Sequence, residues 1–382
     1  MKSSEHLNTL KNIEWDVKPK HISLFSGCGG LDLSLHYAGF EMTWANDFNE
    51  FACETFKKNI SENIFCGSIE DVDIGKLPDA DIVTGGFPCQ DFSMIWKRPG
   101  LEGSRGNLYT YLLEMVNKKK PKVFIAENVK GLLSANDSKA IQQIIEDFES
   151  IEPGYIIKPK LYNFADFGVP QFRERVILVG IRMDTGFNFV HPKPQYGPKT
   201  EQPYVSAREA LKDVELVPYN NEHQNIKEKT KKIISLIKPG GNFTDIPQDS
   251  EYYVKGMISH VYRRLHPDKP SSTVIAAGGG GTWGYHHTEH RPLTNRERAR
   301  IQSFPDDFIF SGSITEVRRQ IGNAVPPVGA ASIIKELIPL FKGEYEKVDL
   351  YTLDKKLKTM DIKSRLKFSQ DETPESYKLL VN

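Results

Sequence analysis

The chain has 382 residues, with 50 Lys and Arg against 50 Asp and Glu and a formal net charge of +0. No global basic field therefore marks a nucleic-acid partner, and any such site must be built from local charge. No stretch reads as long and apolar enough to span a membrane, the N-terminal "MKSSEHLNTLKNIEWDVKPK" lacks the apolar core of a signal peptide, and Cys28, Cys53, Cys66 and Cys89 show neither metal-ligand spacing nor a disulfide framework. The expectation is a cytoplasmic protein with reduced thiols and no bound metal.

In chain order, "HISLF" reads as a strand and "GGLDLSLHYAG" as a helix. "FEMTWA" is the next strand and "NEFACETFKKN" the next helix. "NIFCG", "ADIVTGG" and "PKVFIAEN" follow as strands, with "NLYTYLLEMVNKKK" and "KAIQQIIEDFESI" as helices. This alternation predicts an α/β fold with a mostly parallel sheet covered by helices on both faces. "YIIKPKLYNFADFG" and "RERVILVGIR" look like two closing strands. From about Thr185 to His290 the composition turns to proline, glycine and polar residues, which predicts a second, smaller, loop-rich domain. "TNRERARIQSF" is helical again, and "PPVGAASIIKELIPLF" is an amphipathic helix opened by prolines. The charged tail after Lys342 reads as a peripheral helix or a disordered segment. The division expected is a discontinuous domain of 1–186 and 320–382, with 187–319 as the second domain.

Four places carry residues suited to chemistry. "LFSGCGG" joins the first strand to the first helix, where glycines let a ligand approach the backbone and a helix N-terminus offers free N–H groups. Taken alone it would also suit a dinucleotide. Asp47 ends the second strand, where an acid suits the hydroxyls of a ribose or, more simply, caps a helix; Phe48 beside it could stack on a purine. In "GGFPCQDFS", Cys89 follows a proline just past a strand end, as a nucleophile or as a small buried apolar residue. "AENV" puts Glu127 at another strand end, where a dry carboxyl can keep its proton and act as an acid. "QFRER" spaces Gln171, Arg173 and Arg175 at period two, on one face if extended, either gripping an anion or carbonyl oxygen or forming a solvated edge.

The ordered set "LFSGCGG", "GGFPCQDFS", "SRGNLYTYL", "AENVKGL", "VPQFRERVILVG", "RPLTNRERARIQSFPDDF" and "QIGNAVPP" resembles the DNA (cytosine-5) methyltransferases of prokaryotic restriction-modification systems, from roughly Ile22 to Val328. The resemblance implies the Rossmann-like fold of S-adenosylmethionine-dependent methyltransferases, with 187–319 as a target-recognition domain and hinge. It implies S-adenosylmethionine as methyl donor and double-stranded DNA as substrate. It assigns Cys89 as the nucleophile that adds to cytosine C6, Glu127 as the acid at the ring N3 and exocyclic amine, Arg175 as the holder of O2, and Arg173 as support for that edge or a phosphate. Phe25, Ser26, Gly27, Cys28, Gly29, Gly30, Asp47, Phe48, Ser68, Ile69, Pro88, Leu108, Asn323 and Val325 fall on cofactor positions. Ser68 and Ile69 stand where the family often has an aspartate to meet the adenine amine, and Ser23 replaces an acid common before "LF". Gln90, Ser93, Arg105 and Gln171 fall on expected DNA contacts, and "QDFSMIWKRPGLEGSRG" reads as a loop closing on DNA or a plain surface loop. In the variable region Arg263 and Arg264 could read guanine or bind phosphate or, more simply, serve the fold. A monomer is expected, with a restriction endonuclease acting on the same site without a stable complex.

Three rival readings share part of this pattern. A transfer-RNA cytosine methyltransferase would share the catalytic set but typically has a "CFT"-type motif that this sequence lacks. A silent DNA-binding homologue would not need Cys89, Glu127 and Arg175 together. A thiol hydrolase would want a histidine paired with Cys89, and the matching motifs contain none.

Overall fold

A computed structural model describes residues 2–87, 108–256, 261–276 and 283–372. The assignments to Pro88, Cys89, Gln90, Ser93 and Arg105 lie outside the described residues. After helix α1 (Lys2–Asn8) the chain runs β1 (Lys20–Leu24), α2 (Asp32–Tyr37), β2 (Glu41–Asp47), α3 (Glu50–Asn59), β3 (Ile64–Cys66), β4 (Ile82–Gly86), α4 (Tyr109–Lys119), β5 (Val123–Val129), α5 (Lys139–Glu149), β6 (Tyr155–Asn163), β7 (Gln171–Phe172) and β8 (Glu174–Arg182). Seven of these strands form one sheet in the order β3-β2-β1-β4-β5-β8-β6. Its first five strands pair in parallel, and β8 runs antiparallel to both β5 and β6.

Period two sends alternate strand residues into two apolar layers. Ile82, Val123, Ile125, Ile177 and Val179 face one layer, while Val83, Phe124, Ala126, Val176 and Leu178 face the other. The second layer is closed by α5, whose Ile141, Ile144, Ile145 and Phe148 are spaced along one helical face. The strand order reverses between β1 and β4, the place where such sheets open a crevice beyond the strand ends.

The remaining chain holds α6 (Ala207–Leu211), α7 (Glu228–Ser235), β9 (Arg263–Arg264), β10 (Ser271–Ser272), β11 (Trp283–Tyr285), α8 (Asn295–Ile301), α9 (Ile314–Asn323), α10 (Pro327–Lys342), α11 (Leu350–Lys358) and α12 (Ile362–Asp371). Ile233, Ile237, Phe243 and Ile246 form a small apolar cluster of their own. Leu265, Val274, Leu293 and the Phe304, Phe308, Phe310 group join the main core instead.

Two expectations need correction. Ile314–Lys342 is apolar and long enough by composition to cross a membrane, yet it is two helices, parted by the extended backbone of Ala324 and Pro326 and buried largely in the core. The tail is neither peripheral nor unstructured up to residue 372, because Leu350, Leu353 and Leu357 enter the main core. Beyond them Lys158 of β6 donates to both carboxylate oxygens of Glu372 at 2.7 Å, and to Asn188 Oδ1 and the Phe189 carbonyl. Both partners are buried, so their charges neutralise each other out of water.

Removing one partner of such a pair strands the other. Glu372→Ala should lower unfolding stability by about 3–5 kcal/mol, and the double change Lys158→Met with Glu372→Leu should recover most of that loss. Urea denaturation measures both, and a loss of only about 1 kcal/mol for Glu372→Ala would place the pair in the weak, solvated class.

Candidate active site

The loop after β1 turns through left-handed backbone at Phe25 (φ 54°), Gly27 (φ 56°) and Gly29 (φ 87°). Its glycines do different work. A Cβ on Gly29 would lie 2.1 Å from Ile60 Cδ1, and one on Gly30 would lie 2.3 Å from the Val325 carbonyl oxygen, so these two allow close packing. A Cβ on Gly27 meets nothing within 4 Å, so that residue borders open space. The Gly27 N–H donates to Asp47 Oδ2 at 2.8 Å, and the Asn49 N–H donates to Oδ1 at 2.9 Å. Asn49, not Asp47, caps α3 by accepting from the Ala52 N–H. Burial raises the Asp47 pKa against those two donors.

Phe48 is 77 % exposed, an uncovered ring beside this carboxylate. Open backbone at Gly27, an acid at Asp47 and a bare ring at Phe48 fit the ribose and purine of a nucleoside. Asn323 is exposed and Val325 buried at the α9–α10 junction that meets Gly30. The remaining positions take lesser parts. Cys28 is buried with its Sγ against the Gln320 carbonyl, Ile69 lies in the core, and Ser68 accepts from the Glu70 N–H as a local cap. Ser26 is tied to Ser23, and Leu108 opens α4.

Glu127 sits at the carboxyl end of β5, in register with Gly86 of β4 on one side and Ile177 of β8 on the other. Its Oε1 lies 3.0 Å from Arg175 Nε. Burial raises its pKa, while Arg175 and Arg173 pull the other way. The result is a dry acid that can hold or release a proton. Past it opens a hollow of about 440 Å³ lined by Val129, Lys130, Asn163, Phe172, Arg175 and Thr273 among others. At its rim Lys130 pairs with Glu174 at 2.9 Å, both half exposed. Asn128 Nδ2 donates to the Phe87 carbonyl at 2.9 Å and so ties the end of β4 to that of β5.

The period-two expectation for "QFRER" holds as geometry but not as a DNA grip. Gln171 and Arg173 are fully buried. Arg173 donates to the carbonyls of Val274 (3.2 Å), Gly322 (2.9 Å) and Ala324 (2.9 Å). Gln171 donates to Gln302 Oε1 and accepts from the Val274 N–H. Neither can reach a base edge or phosphate while making these bonds, so both are corrected to structural ties. Arg264 is corrected likewise: it is buried and donates to the carbonyls of Ile237, His286 and His287. Arg263, beside it on β9, is partly exposed, and its side chain is in none of these carbonyl bonds.

The sequence pattern of the C-5 cytosine-specific DNA methylases matches residues 19–339. The chain belongs to the C-5 cytosine-specific DNA methylase family. It is a DNA (cytosine-5-)-methyltransferase. It is 60% identical over 355 residues to the Type II methyltransferase M.NgoFVII of Neisseria gonorrhoeae, covering 92% of this chain and 93% of that one. It is 44% identical to M.BbvI of Brevibacillus brevis, covering 85% and 92%. Among solved structures, a prophage-encoded DNA modification methyltransferase from E. coli matches with a TM-score of 0.65 at 21% identity, over 85% of this chain and all of that one. The S. pombe Dnmt2 methyltransferase matches at 0.56 and 18%, over 84% and 98%. These two likenesses show the same fold.

The methylase also carries polar groups that sequence reasoning passed over. Lys130 and Glu174 lie inside motifs already singled out, next to residues that drew the attention. Under the glycine loop, His21 Nε2 lies 2.8 Å from Thr84 Oγ1 and 3.5 Å from Asp32 Oδ1, all three buried. Asp32 also bonds Ser23, whose hydroxyl accepts from Ser26 of the loop at 2.9 Å. Burial pushes the Asp32 carboxyl up to about 7 and holds His21 down to about 3. The only signal was a polar residue at a core position of a strand or helix.

In the folded methylase Asp32 binds its proton more tightly than in the unfolded chain. Its contribution to stability is therefore complete below about pH 4 and is lost as pH rises through about 7. His21 acts in the opposite sense, stabilising the neutral fold above about pH 6.5 and losing that as pH falls. Asp32→Asn keeps the shape without the proton. The stability of the wild type relative to Asp32→Asn should fall by a few kcal/mol, at most about 4, between pH 4 and pH 8. Parallel thermal-unfolding curves for the two across that range would contradict the assignment.

Proposed function

We propose that this methyltransferase moves a methyl group from S-adenosylmethionine to C5 of a cytosine flipped out of a short sequence in duplex DNA, through a transient bond from Cys89 Sγ to C6. The observation that carries the reading is Glu127: a dry, protonatable carboxyl at a strand end beside the guanidinium of Arg175, which lines the hollow. Cys89 follows Phe87 by two residues, and the end of β4 at Phe87 is tied to Asn128, the neighbour of Glu127. As the Cys89 thiolate adds to C6, Glu127 gives or shares its proton at N3, and Arg175 steadies the O2 edge. The electron pair that the thiolate supplies makes C5 nucleophilic. S-adenosylmethionine supplies an electrophilic methyl sulfonium there, and Gly27, Asp47, Phe48, Asn323 and Val325 would hold it. Water or another base then takes the C5 proton, and the thiolate leaves. Extracting the base from the duplex costs a few kcal/mol, and the hollow beside Arg175 is where the surrounding strand would find room.

Segment 187–319 is proposed to choose the target, the rest of the chain to do the chemistry. The type II names of the relatives at 60% and 44% identity support a restriction-modification role on DNA; the same proposal places the enzyme in the cytoplasm as a monomer, with an endonuclease that reads the same site separately. Methyl tritium from labelled S-adenosylmethionine should pass to duplex DNA and not to transfer RNA; the reverse would establish the rival substrate. A duplex with 5-fluorocytosine at the target cannot lose C5 fluorine as a proton. It should give a denaturant-resistant adduct that needs S-adenosylmethionine and maps to Cys89. Cys89→Ser should form none, because a neutral hydroxyl is a far poorer nucleophile than a thiolate. An adduct on Cys28, Cys53 or Cys66 would sink this mechanism.

The two neighbouring arginines separate reading from folding. Arg263→Ala should weaken binding to target DNA by about tenfold or more while leaving the melting temperature near wild type, as expected for one base contact of 1–3 kcal/mol. Arg264→Ala should lower the melting temperature, since it strands buried carbonyls. Equal thermal loss in both would remove Arg263 from the reading surface.

A further inference from the structure

The bonds of Arg173 join two places that the proposed function keeps apart. Two of its three acceptors, the carbonyls of Gly322 and Ala324, flank Asn323 and immediately precede Val325 on the cofactor side. The third, the carbonyl of Val274, lies just past β10 in segment 187–319. β10 itself pairs with β7, two residues before Arg173. Gly322 also touches that segment directly. A Cβ there would stand 2.3 Å from the Ala276 nitrogen and 2.5 Å from the Ile275 carbonyl carbon. Gln302 reinforces the junction, since its Nε2 donates to the Ala324 carbonyl while its Oε1 accepts from Gln171. The Val325 carbonyl in turn backs Gly30 of the glycine loop.

We propose that Arg173 is a positioning residue whose planar fork locks the Gly322–Ala324 junction to Val274, so that cofactor at the one and DNA at the other bind cooperatively. This rests on the functional reading above. The argument is geometric. A guanidinium holds its donors in one rigid plane, so the Val274 carbonyl cannot shift against those of Gly322 and Ala324 without breaking a buried hydrogen bond. The Gly322–Ala276 contact leaves no slack for a side chain between the two segments. Ordering Asn323 and Val325 around a ligand therefore also orders the backbone at Val274 to Ala276, and the ordering cost is met once for both ligands. By linkage the effect is reciprocal.

The test uses S-adenosylhomocysteine, the non-reacting product, and a short duplex that the wild type methylates. Calorimetric titration of the wild-type protein should show the product binding on the order of tenfold tighter with DNA present than without. Arg173→Lys has a single ammonium that cannot span the three carbonyls. It should bind each ligand alone within about threefold of wild type, yet its ratio with and without DNA should fall towards one. A residue that merely supports the fold would weaken both titrations and leave the ratio intact. A wild-type ratio of one, or an Arg173→Lys ratio equal to wild type, overturns the proposal while leaving the functional reading standing. If the wild type binds neither ligand, the reading falls and the proposal with it. Should Arg173→Lys not fold, hydrogen exchange in the wild type decides. Product alone should slow exchange at the amides of Ser271 and Val274, which donate to the Pro170 carbonyl and to Gln171 Oε1. Unchanged exchange there overturns the proposal.

Discussion

A guanidinium in a dry interior must find acceptors, and Arg173 finds them in three backbone carbonyls from two segments remote in sequence. Burial pushes its pKa down to about 9, with the nearby Arg175 adding to the effect and Glu127 opposing it. Keeping it charged there requires that the carbonyls stay where they are. Much of the site hangs on that requirement. The strand that continues from Arg173 carries Arg175 to within 3.0 Å of Glu127. The junction it holds presents Asn323 and backs the glycine loop through Val325. The strand paired beside it, β10, belongs to segment 187–319. One buried cation thus sets the relative position of the strand that carries Arg175, the Gly322–Ala324 junction and β10.

Three buried carboxyl groups show how surroundings divide one kind of residue into different tasks. Burial raises the pKa of all three. Asp32 sees hydroxyls and a neutral histidine, with no cation in contact among the described residues, so burial pushes it up to about 7 and it serves as a hydrogen-bonding tie under the loop. Asp47 sees two backbone N–H donors that favour its charge, which suits an acceptor for ligand hydroxyls. Glu127 sees arginines, which favour its charge while burial opposes it. Of the three it alone stands beside arginines at a strand end, the setting that the proposed proton sharing with a base calls for.

The layered sheet was legible in the sequence because each strand is a short apolar run closed by glycine or a polar residue, and each helix repeats at 3.6 residues. The strand ends bearing Asp47 and Glu127 were legible for the same reason. What escaped was set by contacts distant in sequence. α9 carries Arg318, Arg319 and Gln320 in a short polar pattern, and only Val317 and Ile321 betray its buried face. The docked tail escaped because its anchor is a lysine on β6 matched to Glu372, 214 positions later. Strands of two residues, such as β7, β9 and β10, carry no period to read. Arg173 and Arg264 read as candidate ligand contacts because a sequence shows a charge but not which way it points.

That last error has a general physical cause in this chain. Loop-rich segments leave carbonyls without ladder or helix partners, and a buried carbonyl must be satisfied. Arginine does this efficiently, with five donors in one fork. Arg296 is fully buried and caps the carbonyls of Tyr219, Pro305 and Phe308. Arg300 holds the Lys212 carbonyl and Asp306, and Arg264 holds those of Ile237, His286 and His287. The arginines of "NRERAR" are buried and frame the loops packed against α8. The cations left for a phosphate backbone are fewer and outside, such as Arg263 and the Lys130 whose partner Glu174 shares the rim of the hollow. On the proposed function a duplex at the hollow would compete with a carboxylate for Lys130, at little cost because the pair is half solvated. A chain of net charge +0 thus holds its loops with buried arginines and leaves only a few cations, such as Lys130 and Arg263, exposed for that task.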